Sequence, residues 1–71
     1  GVRAALVWSD ATARLAREHN DANMMAVGAR QHSEDEAIAF IDAFLETPFT
    51  GDERHQRRID LMAAYERSVR A

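Results

Sequence analysis

Short apolar runs alternate with longer amphipathic segments along this chain. Residues 2–8 and 24–27 are apolar runs too brief for helices, which predicts two buried strands. Ser9 or Asp10 can cap a helix that follows the first run and continues to about residue 20. The inner stripe of that helix is predicted to be Ala13, Leu15 and Ala16. Residues 21–23 are predicted to form a turn before the second strand, which Gly28 ends.

A second amphipathic segment begins at a capping box formed by Ser33 and Glu36. Apolar residues behind it recur at helical spacing, and Pro48 ends the segment. This spacing predicts a helix whose buried stripe is Ala37, Ile38, Ile41, Phe44 and Leu45.

A third amphipathic segment, from about residue 52 to residue 70, predicts a long helix at the end of the chain. Residues 50–53 have the pattern of another capping box. Two neighbouring apolar seams follow, one made of Ile59, Met62 and Val69 and the other of Leu61 and Tyr65.

The predicted order is strand, helix, strand, helix, helix, which indicates the α/β class. A strand–helix–strand unit joins two parallel strands by a crossover helix. Two parallel strands cannot bury both faces of a sheet, and parallel sheets have helices on both faces. We therefore expect residues 1–71 to be the C-terminal β-α-β-α-α portion of a larger domain.

Composition narrows the functional classes. The chain is 46% hydrophobic and 30% charged, as folded globular domains are, and no apolar run approaches a membrane span. It has no cysteine, which excludes thiolate zinc sites, disulfide frameworks and cysteine nucleophiles among these residues. A net charge of −3 argues against a broad nucleic-acid footprint. We expect a cytoplasmic protein with neither membrane nor nucleic-acid partners.

The richest candidate chemistry lies at the predicted exit of the first helix. His19 is a candidate general acid or base, because histidine is the side chain that most often has this role near neutral pH. Asn20 can donate and accept hydrogen bonds at once, which suits a sugar hydroxyl. A histidine in a last helical turn is also favoured by the helix dipole, and asparagine is a common helix stop. Both interpretations are open on spacing alone.

Three arginines are candidates for binding an anion. Arg30 follows the second strand, and ligands of open α/β sheets lie beyond the carboxyl ends of strands. Arg54 and Arg58 are neighbours on one helical face near a helix N-terminus, where an anion is stabilised. The alternative is that all three are ordinary surface arginines, with Asp52 and Glu53 neutralising the helical pair.

The remaining histidines, His32 and His55, have weaker claims. His32 lies in a predicted loop, and neither residue has metal-ligand spacing with another histidine. We expect no metal and no cofactor.

Several segments together resemble the C-terminal half of type B ribose-5-phosphate isomerases and of the related galactose-6-phosphate isomerase subunits. The resemblance covers nearly the whole chain, and the string Ala-Arg-Glu-His-Asn at residues 16–20 is its most specific part. The matching segments are residues 2–7, 12–23, 28–30, 41–45 and 54–60.

The resemblance implies a Rossmann-like three-layer αβα domain with a five-stranded parallel sheet, assembled as a dimer or a tetramer of dimers. It implies metal-free interconversion of ribose 5-phosphate and ribulose 5-phosphate through an enediolate. By the family pattern His19 opens the furanose ring and Asn20 binds substrate oxygens. The same pattern assigns the phosphate to Arg30, Arg54 and Arg58.

Other parts of the family's site have no counterpart in residues 1–71, namely an Asp-His pair, a Gly-rich loop and the enediol base. We therefore expect these residues to be inactive by themselves. The exit of a crossover helix and the exit of the next strand lie at opposite ends of a sheet. At roughly 3.3 Å per residue, His19 and Arg30 of one chain should be about 15 Å apart. This predicts a site shared between two chains.

Two other classes of function compete with this one. The chain could belong to a galactose-6-phosphate or other hexose-phosphate isomerase subunit, or it could be a non-catalytic helical interaction module whose arginines are surface charge. A nucleic-acid binder that uses the arginine cluster is disfavoured by the acidic total and the few aromatic residues.

Overall fold

A computed structural model describes residues 1–70, and it has the expected order of elements. Strands β1 and β2 are parallel, with Ala4 opposite Met24 and Val7 opposite Val27. The prediction of an α/β fold built on a parallel β-α-β unit is confirmed. The elements are β1 (Ala4–Val7), α1 (Asp10–Asn20), β2 (Met24–Val27), α2 (Glu34–Glu46) and α3 (Glu53–Val69).

The two strands present one covered face and one exposed face. Alternate side chains of a strand point to opposite faces, so residues 5, 7, 25 and 27 pack on the helical side. There Val7, Ala13, Phe40 and Ala43 form the core cluster. Leu6, by contrast, is 66% exposed. Within residues 1–70, the two strands predicted to be buried are therefore covered on the helical face and exposed on the other, in keeping with the expectation that two parallel strands cannot bury both faces of a sheet.

The buried stripe of α1 differs from the predicted one at one position. Ala13 and Ala16 are buried as predicted, but Leu15 is largely exposed. Residues two positions apart do not share a helical face, whereas Ala13 and Ala16 are three apart. The prediction for Leu15 is wrong for this geometric reason.

The buried stripe of α2 is displaced around the helix from the predicted one. Phe40 and Ala43 are buried and Phe44 is partly buried against them. Ile38 and Leu45, which were expected in the stripe, are exposed, as is Ile41. The observed stripe continues to Thr47, which is also buried and whose hydroxyl donates to the Ala43 carbonyl at 2.6 Å. The side chains of α2 that enter the core are thus displaced around the helix from its largest aliphatic residues.

Both shorter helices begin at a full capping box. Ser9 and Thr12 cap α1, since the Ser9 hydroxyl accepts from the Thr12 N–H at 3.1 Å and the Thr12 hydroxyl accepts from the Ser9 N–H at 3.0 Å. Ser33 and Glu36 form the predicted box on α2, with matching bonds of 3.1 and 2.9 Å. The prediction for Ser33 is confirmed.

The start of α3 is built differently from the predicted capping box. Asp52 is the N-cap, and its carboxylate accepts from the Arg54 N–H at 2.9 Å. Thr50 instead donates its hydroxyl to the Glu18 carbonyl near the end of α1, at 2.9 Å. The box expected at residues 50–53 is therefore wrong, and its threonine joins α3 to α1.

Helix α3 is the least covered element. His55 and Ile59 are its buried residues, one helical turn apart and on the same face. Ile59 lies in the seam predicted for it, whereas the other predicted seam residues are exposed: Leu61, Met62, Tyr65 and Val69. Within residues 1–70, no helix combines the length and apolar composition that a membrane span requires.

Candidate functional site

The exit of α1, where His19 and Asn20 lie, is tightly fixed. Asp21 adopts the left-handed conformation with φ of 44°, and the following Ala22 N–H donates to the Ala16 carbonyl at 3.0 Å. The Arg17 guanidinium donates to the Ala22 carbonyl, and it pairs with the Asp21 carboxylate at 2.9 Å. The backbone on both sides of His19 therefore has little freedom.

The same exit is joined to the start of α3. Thr50 bonds to the Glu18 carbonyl through its hydroxyl and also through its N–H, at 3.3 Å. This bond places the first turn of α3 beside the last turn of α1. The rings of His19 and His55 then stack, with centroids 4.1 Å apart and planes 20° from parallel. The structure thus brings His19 together with the helix start that carries Arg54 and Arg58.

His55 is the buried member of this histidine pair. It is 5% exposed, and its Nδ1 has no hydrogen-bond partner among the described residues. Burial lowers the pKa of His55, and the nearby positive charges of His19, Arg54 and Arg58 lower it further, while Asp52 opposes them. His55 is therefore neutral at physiological pH.

Asp52 supplies a carboxylate at the same place. The Arg54 N–H that donates to it lowers the pKa of the Asp52 carboxyl, and the positive charge of Arg54 acts in the same direction. The carboxyl is accordingly ionised at neutral pH, within electrostatic reach of both imidazoles.

The Arg54 and Arg58 side chains are exposed, and neither forms a hydrogen bond or ion pair with another side chain in residues 1–70. Arg54 directly precedes His55, and Arg58 follows it by three residues on the same helical face, so both lie on the helix turn that carries the stack. Two forked cations without an internal partner, beside a helix N-terminus, are suited to a phosphate or a carboxylate.

Arg30 lies at the opposite end of the sheet, beyond the carboxyl end of β2. It is exposed in the turn after β2, where the Gly28 carbonyl accepts from the N–H groups of Gln31 and His32 at 3.0 and 3.2 Å. Because β2 leads away from the α1 exit, its four residues separate that exit from the turn by about 13 Å. Within one chain, the structure does not bring Arg30 together with His19.

Asn20 lines a different surface from His19. It borders a half-open cavity of about 490 Å³ whose other walls include Ala22, Ile59 and Met62. Neither Arg54 nor Arg58 reaches this cavity. Asn20 therefore lies next to the histidine stack in sequence but faces a largely apolar hollow.

Sequence reasoning gave His55 only a weak claim, and it missed the stacking partner of His19. One signal was present, since His55 precedes the apolar Ile59 by four residues and so shares its buried face. Among residues 1–70, no cluster of three or more histidine, aspartate or glutamate side chains has a geometry that would hold a metal ion.

Comparison with known proteins places the chain in a family. A family model described as Ribose/Galactose Isomerase matches residues 1–62. The chain is 54% identical over 71 residues to ribose-5-phosphate isomerase B of Mycobacterium tuberculosis, covering all of this chain and 44% of the relative. It is 36% identical over 66 residues to the Escherichia coli protein of the same name, covering 93% of this chain and 44% of the relative.

Solved structures give the same result. The type B ribose 5-phosphate isomerase of Trypanosoma cruzi superposes with a TM-score of 0.91 at 48% identity, over 96% of this chain and 44% of that one. The Mycoplasma genitalium ribose-5-phosphate isomerase B, solved with bound ribulose-5-phosphate, superposes with a TM-score of 0.87 at 47% identity. That match covers 93% of this chain and 43% of the other.

The chain spans slightly less than half the length of these relatives. Its fold matches theirs over nearly all of the described residues, and the family model covers most of its sequence. The chain belongs to the ribose/galactose isomerase family.

Proposed function

We propose that the protein carrying this chain interconverts ribose 5-phosphate and ribulose 5-phosphate, and that the chain supplies the acid/base histidine and the phosphate-binding arginines. The observation that carries the proposal is the junction of α1 and α3. It sets the exposed imidazole of His19 beside two arginines with no internal partner, Arg54 and Arg58. Relatives that bear the name of this activity cover the whole chain at up to 54% identity.

In the proposed reaction His19 opens the sugar ring. A protonated imidazole donates its proton to the ring oxygen of the furanose, and the C1–O bond to that oxygen breaks. A base assigned to a residue outside residues 1–71 takes the proton of the C1 hydroxyl, which yields the open aldehyde. A base then removes the proton from C2 to form an enediolate, and a proton is delivered to C1. The hydroxyl proton passes from O2 to O1, which completes the ketose. The enediol base is assigned to a residue outside residues 1–71.

The arginines hold the phosphate in this proposal. Arg54 and Arg58 lie one helical turn apart, so their guanidinium groups can donate in parallel to one phosphate. Asn20, which follows His19 directly but borders the neighbouring cavity, is assigned to the substrate oxygens on the family resemblance alone. Because Arg30 lies at the opposite end of the sheet from His19, we assign it to the phosphate in the site of a neighbouring chain. This assignment makes the protein a dimer, or a tetramer of dimers, with shared sites.

The first test is isomerase turnover of the natural protein with His19→Gln. We expect kcat for ribose 5-phosphate to fall by at least about 100-fold, the size of a lost acid/base group. His32→Gln is the matched control, because His32 is an imidazole in the turn region after β2, packed edge-on against the Phe40 ring and away from the α1–α3 junction. Activity within twofold of the unaltered protein in His19→Gln would refute the assigned role.

The shared site is tested by mixing inactive chains. His19→Gln chains and Arg30→Ala chains should recover activity when allowed to exchange subunits, because each mixed pair rebuilds one intact site. His19→Gln mixed with Arg54→Ala is the control, since both changes lie at the same edge of one chain and the pair should recover nothing. Equal recovery in both mixtures, or in neither, would contradict the arrangement.

The family description also names galactose isomerases. Assaying galactose 6-phosphate beside ribose 5-phosphate decides between a hexose and a pentose substrate. Absence of turnover with both, together with binding to another protein, would favour the interaction module over the enzyme.

A further inference from the structure

We propose that His55 is a positioning residue, whose buried ring is the platform that fixes the orientation of the His19 ring. This inference rests on the proposed function, in which His19 donates the proton that opens the sugar ring. The observation behind it is the near-parallel stack of the two imidazoles, with 4.1 Å between centroids.

His19 has no other visible means of orientation. A catalytic imidazole is usually oriented by a hydrogen bond from one ring nitrogen to a carbonyl or carboxylate. Among residues 1–70, no hydrogen bond or ion pair restrains the His19 ring. The exposed ring of His19 is therefore held through its face, by the ring stacked against it.

His55 is itself well fixed. It is 5% exposed, it lies one turn before the buried Ile59, and the Thr50–Glu18 bonds hold its helix start against α1. A ring that orients another must be less mobile than the ring it contacts. His55 meets this condition because it is buried, whereas His19 is exposed. The stack therefore extends the rigidity of the α1–α3 junction to the exposed ring.

The surroundings of the stack disfavour a positive charge on its buried ring. His19, Arg54 and Arg58 oppose charge on His55, burial opposes it more strongly, and Asp52 alone favours it. Two stacked imidazolium ions would repel each other at this distance. His55 therefore supports the His19 ring as a neutral ring and adds no positive charge beside it.

The unpartnered nitrogen indicates which property of His55 matters. Its Nδ1 is buried without a hydrogen bond, so a ring without nitrogen loses no bond there. If His55 acts as a platform, His55→Phe should preserve its function, because a flat aromatic ring can stack in the same place. His55→Leu fills the space without a flat face, and so separates packing from stacking.

The kinetic test measures kcat and KM of the natural protein for ribose 5-phosphate. His55→Leu should lower kcat by about tenfold or more through misorientation of His19. KM should stay within about twofold, because the arginines are unchanged, and His55→Phe should keep kcat within about threefold. Unchanged kcat in His55→Leu would overturn the proposal, as would an equal loss of kcat in His55→Phe and His55→Leu.

A second measurement does not depend on turnover. The ring carbon-bound protons of His19, followed by NMR, should show an aromatic stacking shift in the unaltered protein and in His55→Phe. The shift should be lost in His55→Leu, while inorganic phosphate still binds and shows the α3 start to be intact.

If the unaltered protein lacks isomerase activity, the proposed function fails, and the NMR shift still decides whether His55 orients His19. If His55→Leu does not fold, the kinetics and NMR shift of His55→Phe decide alone, since loss of both in that folded variant refutes the platform.

Discussion

The two ends of this chain are held in place by different means. From β1 to α2, residues are joined by a common core in which Val7, Ala13, Phe40 and Ala43 pack together. Helix α3 contributes two buried residues, His55 and Ile59, while most of its apolar side chains are exposed. The first region is held by packing, and the second is attached through the first turns of α3.

The candidate site lies at the boundary between these regions, not inside the better packed one. His19 belongs to the packed region, whereas Arg54 and Arg58 belong to the attached helix. Parts of a protein with few buried apolar contacts open at lower free energy than its core. The stability of the packed region and the geometry of the candidate site should therefore respond to different substitutions.

The largest expected effect is on the packed region. Phe40→Ala removes a ring that is 7% exposed at the centre of the core, so the free energy of unfolding should fall by about 3 kcal/mol. Urea denaturation of the natural protein measures it. Phe40→Leu is the control and should cost less than about 1.5 kcal/mol. If Phe40→Ala lowered the free energy of unfolding no more than Phe40→Leu does, the packed region would not depend on this core.

A smaller effect is expected at the attachment of α3. Thr50→Ala removes the hydroxyl that donates to the Glu18 carbonyl, which should weaken this junction by about 1 kcal/mol. Hydrogen exchange should quicken for amides in the first turns of α3 and stay unchanged in α2. Thr50→Ser retains the hydroxyl and should exchange as the unaltered protein does. Uniform quickening across α2 and α3 would show that the two regions are not separable.

The smallest effect on stability is expected from acidification. The start of α3 should be destabilised at a higher pH than the start of α2. The pKa of His55 is lowered in the folded state, so its contribution to stability is complete above its ordinary pKa of about 6.5 and is lost as pH falls through the folded value. The pKa of Glu36 is lowered from 4.5 by its hydrogen bonds with Ser33, so the α2 capping box weakens only in more acidic solution.

Hydrogen exchange as a function of pH tests this order. The first turn of α3 should lose protection at a higher pH than the first turn of α2. In His55→Phe the transition at higher pH should disappear, because no imidazole remains at that position to be protonated. Simultaneous loss of protection in both helices would contradict the separation.

The sequence predicted the local features of the fold well. A capping box forms between side chains and backbone groups of one short segment. The box at Ser33 and Glu36 can therefore be predicted without any knowledge of tertiary contacts. The same applies to the turn before β2 and to the end of α2 near Pro48. Element order and the α/β class follow from such local signals.

Burial was harder to predict, because it depends on which elements cover which faces. The spacing of Ile38 and Leu45 indicates a helix equally well whether or not a neighbour covers that stripe. Leu6 points away from the helical layer in a strand whose composition suggested burial on both sides. Periodicity locates faces along an element and does not say what covers them.

Within the candidate site, spacing and resemblance indicated His19, Arg54 and Arg58 as candidates, but they did not indicate the contact between His19 and His55. That contact joins two helices through a threonine that local pattern had assigned to a cap. Thr50 bonds across to Glu18, and no feature of residues 50–53 distinguishes this use from capping. Long-range contacts between polar side chains are where sequence reasoning fails here.

The single guanidinium of Arg17 has a consequence for natural variation. It donates to the Ala22 carbonyl and, at 3.1 Å, to the Thr47 carbonyl, and it lies 5.6 Å from the centre of the Phe44 ring. Lysine carries the same charge on one compact group and would serve only one of these contacts at a time. Substitution of this arginine during evolution should accordingly be accompanied by changes in the turn after α1 and at the end of α2, so that three separate segments vary together.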